Sequence, residues 1–213
     1  VATTKRFGLP ARAEAFVGWT EKRILSNPGD RAGLRRALGR SPEDIHTSRA
    51  HAVVARFVRR SDEPASERAF YAIAAMMAAQ PRAALDADAD KTSPPQHGLV
   101  RRRETLGATL GRAVGEGILN PGTTESRLHV LCRQPVDGVH RHLPRVIMHL
   151  RAELVPVNWS QLLVDLACWP RDRDGIVKRW LQDYYRTIDA IERAKKNSTT
   201  GSDSDSDSES EPS

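Results

Sequence analysis

Apolar residues recur at three- and four-residue intervals along most of the chain, and no stretch alternates convincingly at period two, which restricts the fold to helices packed on helices. Phe16, Val17 and Ile24 mark a helix over about residues 12–25, which Asn27-Pro28-Gly29 stops. A short helix over residues 31–38 ends at Gly39. Ser41-Pro42-Glu43-Asp44 then predicts a restart, with Ser as N-cap, Pro at the first helical position and acids facing the positive end of the helix dipole. Val53, Val54, Phe57 and Val58 define the next helix, and Phe70, Ile73 and Met77 the one after it.

Residues 81–103 show no period, hold Asp86, Asp88, Asp90 and Pro94-Pro95, and read as a mobile loop whose basic end is Arg101-Arg102-Arg103. The next helix, over 105–116, carries Gly107, Gly111 and Gly115 on one face. Each interior glycine costs about 1 kcal/mol relative to alanine, so that face is expected to be closely approached, by another helix or by a nucleic acid backbone. After Asn120-Pro121-Gly122 come a helix over 124–133 and one over about 137–150, which Pro144 either kinks or starts. Asn158-Trp159-Ser160-Gln161 resembles a capping box, and Trp159, Leu162, Leu163, Leu166 and Trp169 share a face until Pro170 stops the helix. The last helix shows the stripe Val177, Trp180, Leu181, Tyr184, Ile188 and Ile191.

The expected fold is therefore all-α, with eight or nine helices in two small lobes. Residues 1–103 form an N-terminal lobe that includes the loop at about 81–103, residues 104–196 a C-terminal lobe, and residues 197–213 a disordered tail of Ser, Asp and Glu. That tail also divides the charge: the formal charge is +6, and without Asp203, Asp205, Asp207, Glu209 and Glu211 it is +11. The tail is either a solvated segment with no specific role or a nucleic acid mimic that competes for a basic face.

Of the 33 cationic residues only Lys5, Lys22, Lys91, Lys178, Lys195 and Lys196 are lysines, so 27 are arginines. A guanidinium grips phosphate with two parallel bonds and stacks on bases, which suits a nucleic acid surface. An Ala- and Arg-rich composition also arises from a GC-rich genome, so composition alone leaves both readings open. Position adds to it. Arg31 and Arg35 lie four apart with Arg36 adjacent; Arg127 and Arg133 flank Leu128, Val130 and Leu131; Arg141 and Arg145 again lie four apart. Cationic rows beside apolar stripes describe helices that bury one face and offer the other to phosphate.

No bond chemistry is visible. There is no GxxxxGK[ST], HExxH or GxSxG, and the two cysteines, Cys132 and Cys168, are far apart and outside any CxxC. His140, His142 and His149 with Cys132 are the best metal candidates. His140 and His142 are two apart and point to different sides of a helix, which favours surface or phosphate-contacting histidines. The expectation is a non-enzymatic protein without cofactor or metal, cytoplasmic, with no membrane span.

Residues 108–169 resemble the small-subunit (CasB) family of type I-E CRISPR Cascade. The resemblance rests on Leu110-Gly111-Arg112-Ala113, on Glu125 and Arg127 before Leu131-Cys132-Arg133, and on Leu143 with Arg145. It continues through Pro156-Val157-Asn158-Trp159, Leu162, Asp165-Leu166 and Trp169 to the helix of Trp180 and Tyr184. Ser126 departs from it, standing where the family often has Arg. The resemblance implies an all-helical, two-lobed, non-catalytic subunit present as a pair beside the backbone subunits and the large subunit. Its implied partners are the guide RNA (crRNA), the target DNA and the displaced DNA strand of the R-loop. Residue by residue it points to Arg112, Arg127, Arg133 and Arg145, while Arg35, Arg36 and Arg141 rest on local spacing. Trp159 and Trp169 are expected as core anchors. The competing reading is a free-standing, sequence-specific DNA-binding regulator in which the short Arg31 helix and its successor form a helix-turn-helix.

Overall fold

The structure, a computed structural model, describes residues 8–90 and 103–200. Among them are nine α-helices, one 3-10 turn and no strand: α1 Leu9–Ser26, α2 Pro28–Arg36, the turn Ile45–Thr47, α3 Ser48–Val54, α4 Pro64–Ala79, α5 Arg82–Ala89, α6 Leu106–Gly115, α7 Pro121–Cys132, α8 Val136–Ala152 and α9 Trp159–Thr200. Proline opens α1, α2, α4 and α7 within the first turn, where its missing N–H is no loss. Asn27 and Asn120 cap α2 and α7, accepting from Asp30 N at 3.1 Å and Thr123 N at 3.0 Å.

The long α9 lies against α1, α4 and α6. Its Trp169, Trp180 and Tyr184 are buried, as is Trp159 at its start, so the tryptophans expected as core anchors occupy that place. Phe16 of α1 meets Phe70 of α4 edge to face at 4.9 Å and Phe57 at 5.2 Å. Buried residues on both sides of the 103–104 boundary belong to one hydrophobic cluster.

The glycine face of α6 is a helix–helix seam. A Cβ on Gly107 would fall 1.8 Å from the Trp180 carbonyl oxygen, and one on Gly111 2.4 Å from that of Tyr184. One on Gly115 would fall 2.8 Å from Ile191 Cδ1. The pairs ascend together, so α6 and α9 run in the same direction with backbones in contact. Gly117, at φ 80°, closes α6 in a Schellman turn, its N–H donating to Val114 O at 2.9 Å and Ile118 N–H to Ala113 O at 2.8 Å.

Several sequence expectations are corrected. The loop expected at 81–103 begins with α5, a helix that tertiary partners fix: Ala84 and Leu85 are buried, and Arg151 donates to the carbonyl of Ala84 and the carboxylate of Asp88. The rest of that loop, residues 91–102 with Arg101 and Arg102, lies outside the described residues, as do tail residues 201–213; residues 197–200 belong to α9. No helix starts at Ser41. Residues 41–44 form a turn, with Asp44 N–H donating to Ser41 O, and the cap is Asp44, whose carboxylate accepts from His46 N at 2.8 Å. The helix beyond it ends at Val54, short of Phe57 and Val58. Residues 37–47 therefore separate α2 from α3, far more than the three- to four-residue turn of a helix-turn-helix. Asn158 caps α9, accepting from Gln161 N at 3.0 Å, but the Gln161 side chain donates to Asp165 instead of completing a capping box. Pro170 does not end the helix: the backbone breaks two residues later at Asp172 (φ −135°, ψ 34°) and resumes. Pro144 sits inside α8 without ending it.

Candidate nucleic-acid interface

Helices α7 and α8 form an antiparallel hairpin whose reversal, Arg133-Gln134-Pro135, lacks the glycine that usually closes a helix. Its carbonyls are satisfied from α9 instead. Arg173 donates to Cys132 O at 3.0 Å and Gln134 O at 3.1 Å, and Trp169 Nε1 to Gln134 O at 3.3 Å. Leu128 and Leu131 of α7 and Leu143, Ile147 and Leu150 of α8 turn inward and are buried. The opposite rims carry polar side chains at helical spacing, Ser126 and Arg127 on one and His142, Arg145 and His149 on the other, around a cleft of about 410 Å³ with Val130, Leu131 and Val146 along its floor. Val130 is 48% exposed there, an apolar surface open to solvent.

Among the described residues no carboxylate lines this cleft and no ion pair engages Arg127 or Arg145. Both are exposed. Such a surface is cationic with an apolar floor, suited to an anionic chain that also carries flat apolar rings. Arg133, at the end of α7, and Arg141, one turn before Arg145, are exposed towards the hairpin's closed end but do not line the cleft. Arg35 and Arg36 are exposed beside Ala32 on α2, which packs chiefly on α4, and so belong to a separate surface. Arg112 is mostly enclosed: its guanidinium pairs with Glu104 at 2.9 Å, and Glu104 also accepts from Thr109 at 3.1 Å. The four arginines of the hairpin thus share one supersecondary unit, whereas Arg112 works inside the fold.

The expected Arg31–Arg35 rim is also corrected. Arg31 turns inward and donates to Ala78 O at 3.2 Å and Gln80 O at 3.1 Å, closing the C-terminus of α4. Burial and the neighbouring Arg35 and Arg82 lower its pKa. Arg151 is fully buried. It donates to Gln80 Oε1 at 2.5 Å, Val155 O at 2.8 Å, Ala84 O at 3.0 Å and Asp88 Oδ2 at 2.6 Å, tying α8 to α4 and α5. A sequence signal for these internal roles exists, since α4 ends Ala79-Gln80-Pro81 with no glycine and its carbonyls need a distant donor.

The histidines separate. His142 and His149 face the cleft, while His140 is buried against α4, beside Ala72 and Met76, with Nε2 unpartnered among the described residues. Burial, reinforced by Arg68 and opposed by Asp137, pushes the His140 pKa down to about 4. Among the described residues no group of three or more His, Cys, Asp or Glu is placed to hold a metal ion, and no helix is long and apolar enough to cross a membrane. Cys132 is buried, which raises its pKa to about 11. Asp165, buried in α9, accepts from Trp180 Nε1 at 2.7 Å and Gln161 Nε2 at 2.9 Å, and burial raises its pKa.

Residues 30–185 match the family model of the CRISPR-associated protein Cse2. A chain of a solved CRISPR RNA-guided surveillance complex is 41% identical, with 88% of this chain and 99% of that one covered and a TM-score of 0.77. A chain of a pre-nicking form of such a complex is 42% identical over the same shares, with a TM-score of 0.79. The crystal structure of M. ruber CasB is similar in fold, with a TM-score of 0.66 at 21% identity over 86% of this chain and 97% of that one. No curated protein matches.

Proposed function

As this chain belongs to the Cse2 family of CRISPR-associated proteins, we propose that it is the non-catalytic small subunit of a type I-E Cascade surveillance complex and holds nucleic acid on the α7/α8 hairpin. The observation that carries this reading is the cleft in which Arg127 and Arg145, free of ion pairs among the described residues, face each other across an apolar floor without an opposing carboxylate. Arg133 and Arg141 extend the cationic surface towards the hairpin's closed end; Arg35 and Arg36 form a second contact on α2. In this reading the subunit works in the cytoplasm as one of a pair beside the backbone and large subunits. It touches guide RNA and target DNA and retains the displaced strand.

Exchanging a DNA duplex for an RNA–DNA heteroduplex is nearly balanced in free energy, so a few backbone contacts of about 1 kcal/mol each tip it towards the open R-loop. Guide pairing supplies the sequence, and the subunit need only recognise charge and unpaired strand.

The test is binding of the purified protein to single-stranded DNA, RNA and duplex of scrambled sequence over a salt series, beside a variant with Arg127→Ala and Arg145→Ala. Each phosphate contact contributes about 0.7 to the log–log salt slope on a single strand, so the double variant should lose roughly 1.4 in slope. Tight selection of one duplex, with the variant unaffected, would overturn the proposal in favour of a regulator.

A further inference from the structure

The family match ends at residue 185, and nucleic acid binding on the α7/α8 hairpin makes no use of the segment beyond α9. Residues 201–213 place Asp203, Asp205, Asp207, Glu209 and Glu211 at every second position, with serine between them and no cation. We propose that this segment docks into the α7/α8 cleft of its own chain as an intramolecular stand-in for nucleic acid, so that a strand must displace it to bind. The inference rests on the reading of that cleft as the nucleic acid surface.

Charge and spacing both favour the pairing. An extended segment would set its five carboxylates on one side at intervals of about 6.7 Å, a single row of anions like the backbone of a single strand. The cleft offers Arg127 and Arg145 on facing rims, with His142 and His149, and among the described residues no acid to repel the row. Reach favours it as well. Tyr185 of α9 fixes the alignment of α9 with α7, its hydroxyl donating to Glu125 at 2.6 Å and lying 3.1 Å from His129 Nε2. From Tyr185 the helix runs on to Thr200, about 22 Å; Glu125 and His129 of α7 meet Tyr185 while Arg127, Val130 and Leu131 line the cleft, so the cleft opens on the other side of α7, about one helix diameter of 10 Å away. Extended, the segment spans up to roughly 32 Å by Glu209 and 38 Å by Glu211, enough to bring the end of the row onto the arginines.

The pairing is also built to yield. Between its acids the segment has only serines and no apolar side chain to cover Val130, Leu131 and Val146, so the row engages the rims alone, whereas the bases of a strand cover the floor too. Weak or transient polyanion contacts are thereby excluded, and strands that fill the cleft are admitted.

The experiment compares the full chain with one ending at Thr200, which keeps every described residue, and with a full chain in which the five acids are changed to Asn or Gln. Without nucleic acid, the Arg127 and Arg145 side-chain Nε–H resonances should shift on truncation and on neutralisation, while those of Arg35 and Arg36 stay in place. Identical spectra, or equal shifts at both arginine pairs, would refute docking in favour of none or of a diffuse charge effect. A shift that grows with protein concentration would refute it in favour of a neighbouring copy's tail. At about 50 mM salt, truncation should tighten single-strand binding about five- to tenfold, the effect of one or two surface ion pairs, and the gain should vanish near 0.5 M salt. In the Arg127→Ala, Arg145→Ala background the gain should fall below about twofold. Arg127 and Arg145 shifts on truncation, with no strand binding by the truncated chain, would defeat the proposed function alone. Equal strand binding through the cleft by the full and the truncated chain would defeat the docking alone.

Discussion

Gly107→Ala sets two effects against each other at one atom. Helix propensity alone favours the change by up to about 1 kcal/mol, since alanine leaves less backbone freedom to lose. The new Cβ, however, would sit 1.8 Å from Trp180 O, 2.5 Å from its carbonyl carbon and 2.7 Å from its Cα, all backbone atoms with no rotamer to adopt. A carbon reaches a carbonyl oxygen no closer than about 3.3 Å, so α9 must recede by roughly 1.5 Å along the seam. A radial gap of that size forfeits about half or more of the dispersion energy between Leu106 and Leu110 on one side and Trp180 and Tyr184 on the other. Overpacking of this kind costs about 1–3 kcal/mol, and with backbone atoms that cannot rotate away the top of that range applies, which after the propensity gain leaves a net loss of up to about 2 kcal/mol and a melting temperature lower by up to roughly 4–8 °C. Gly18→Ala is the internal control. Gly18 lies inside α1 with nothing within 4 Å of a built Cβ, and its replacement should stabilise by up to about 1 kcal/mol. Urea titrations of the three proteins, monitored by tryptophan fluorescence, read both changes as shifts in midpoint at constant slope. A Gly107→Ala protein as stable as the Gly18→Ala protein would refute direct backbone contact between α6 and α9.

Arg151→Met, which keeps the unbranched apolar stem but abandons Gln80, Ala84, Asp88 and Val155, should cost about 3 kcal/mol or more in the same titration. His140 should make the protein acid-sensitive: its folded pKa of about 4 lies below its ordinary 6.5, so the unfolded chain binds the extra proton first and stability falls as pH drops from 6.5 towards 4, by up to about 3 kcal/mol. His140→Phe should flatten that limb of the stability–pH curve, and an unchanged limb would assign the acid sensitivity elsewhere.

Helix existence was legible because burial imposes a period, and most of the stripes lie where the period puts them, from Phe16 and Ile24 to Trp180 and Tyr184. What local pattern missed was decided at a distance. The helix at Arg82–Ala89 shows too short a stripe to announce itself and is held by Arg151, more than sixty residues away. The turn at Ser41 carries every local mark of a helix start, yet the helix waits for Asp44. The cationic rows were legible as sequence, but spacing cannot say whether a guanidinium turns outward or inward. Arg127 and Arg145 turn out to the cleft; Arg31 and Arg112 are claimed by Ala78, Gln80 and Glu104. Their fate is set by helix ends without glycine and by buried carboxylates, which must draw donors from other elements.

The position of α9 bears on how the chain is made. The last described helix supplies the wall against which α1, α4 and α6 pack, and its Arg173 closes the hairpin of α7 and α8. A ribosome that has finished α4 must add about another hundred residues before Tyr184 emerges, on the order of 5–20 s of synthesis. During that interval the inward faces of Phe16, Phe70 and Ile73 have each other but not their final cover. The nascent chain is therefore most exposed to aggregation, and most dependent on a chaperone, in its penultimate stage rather than at the start.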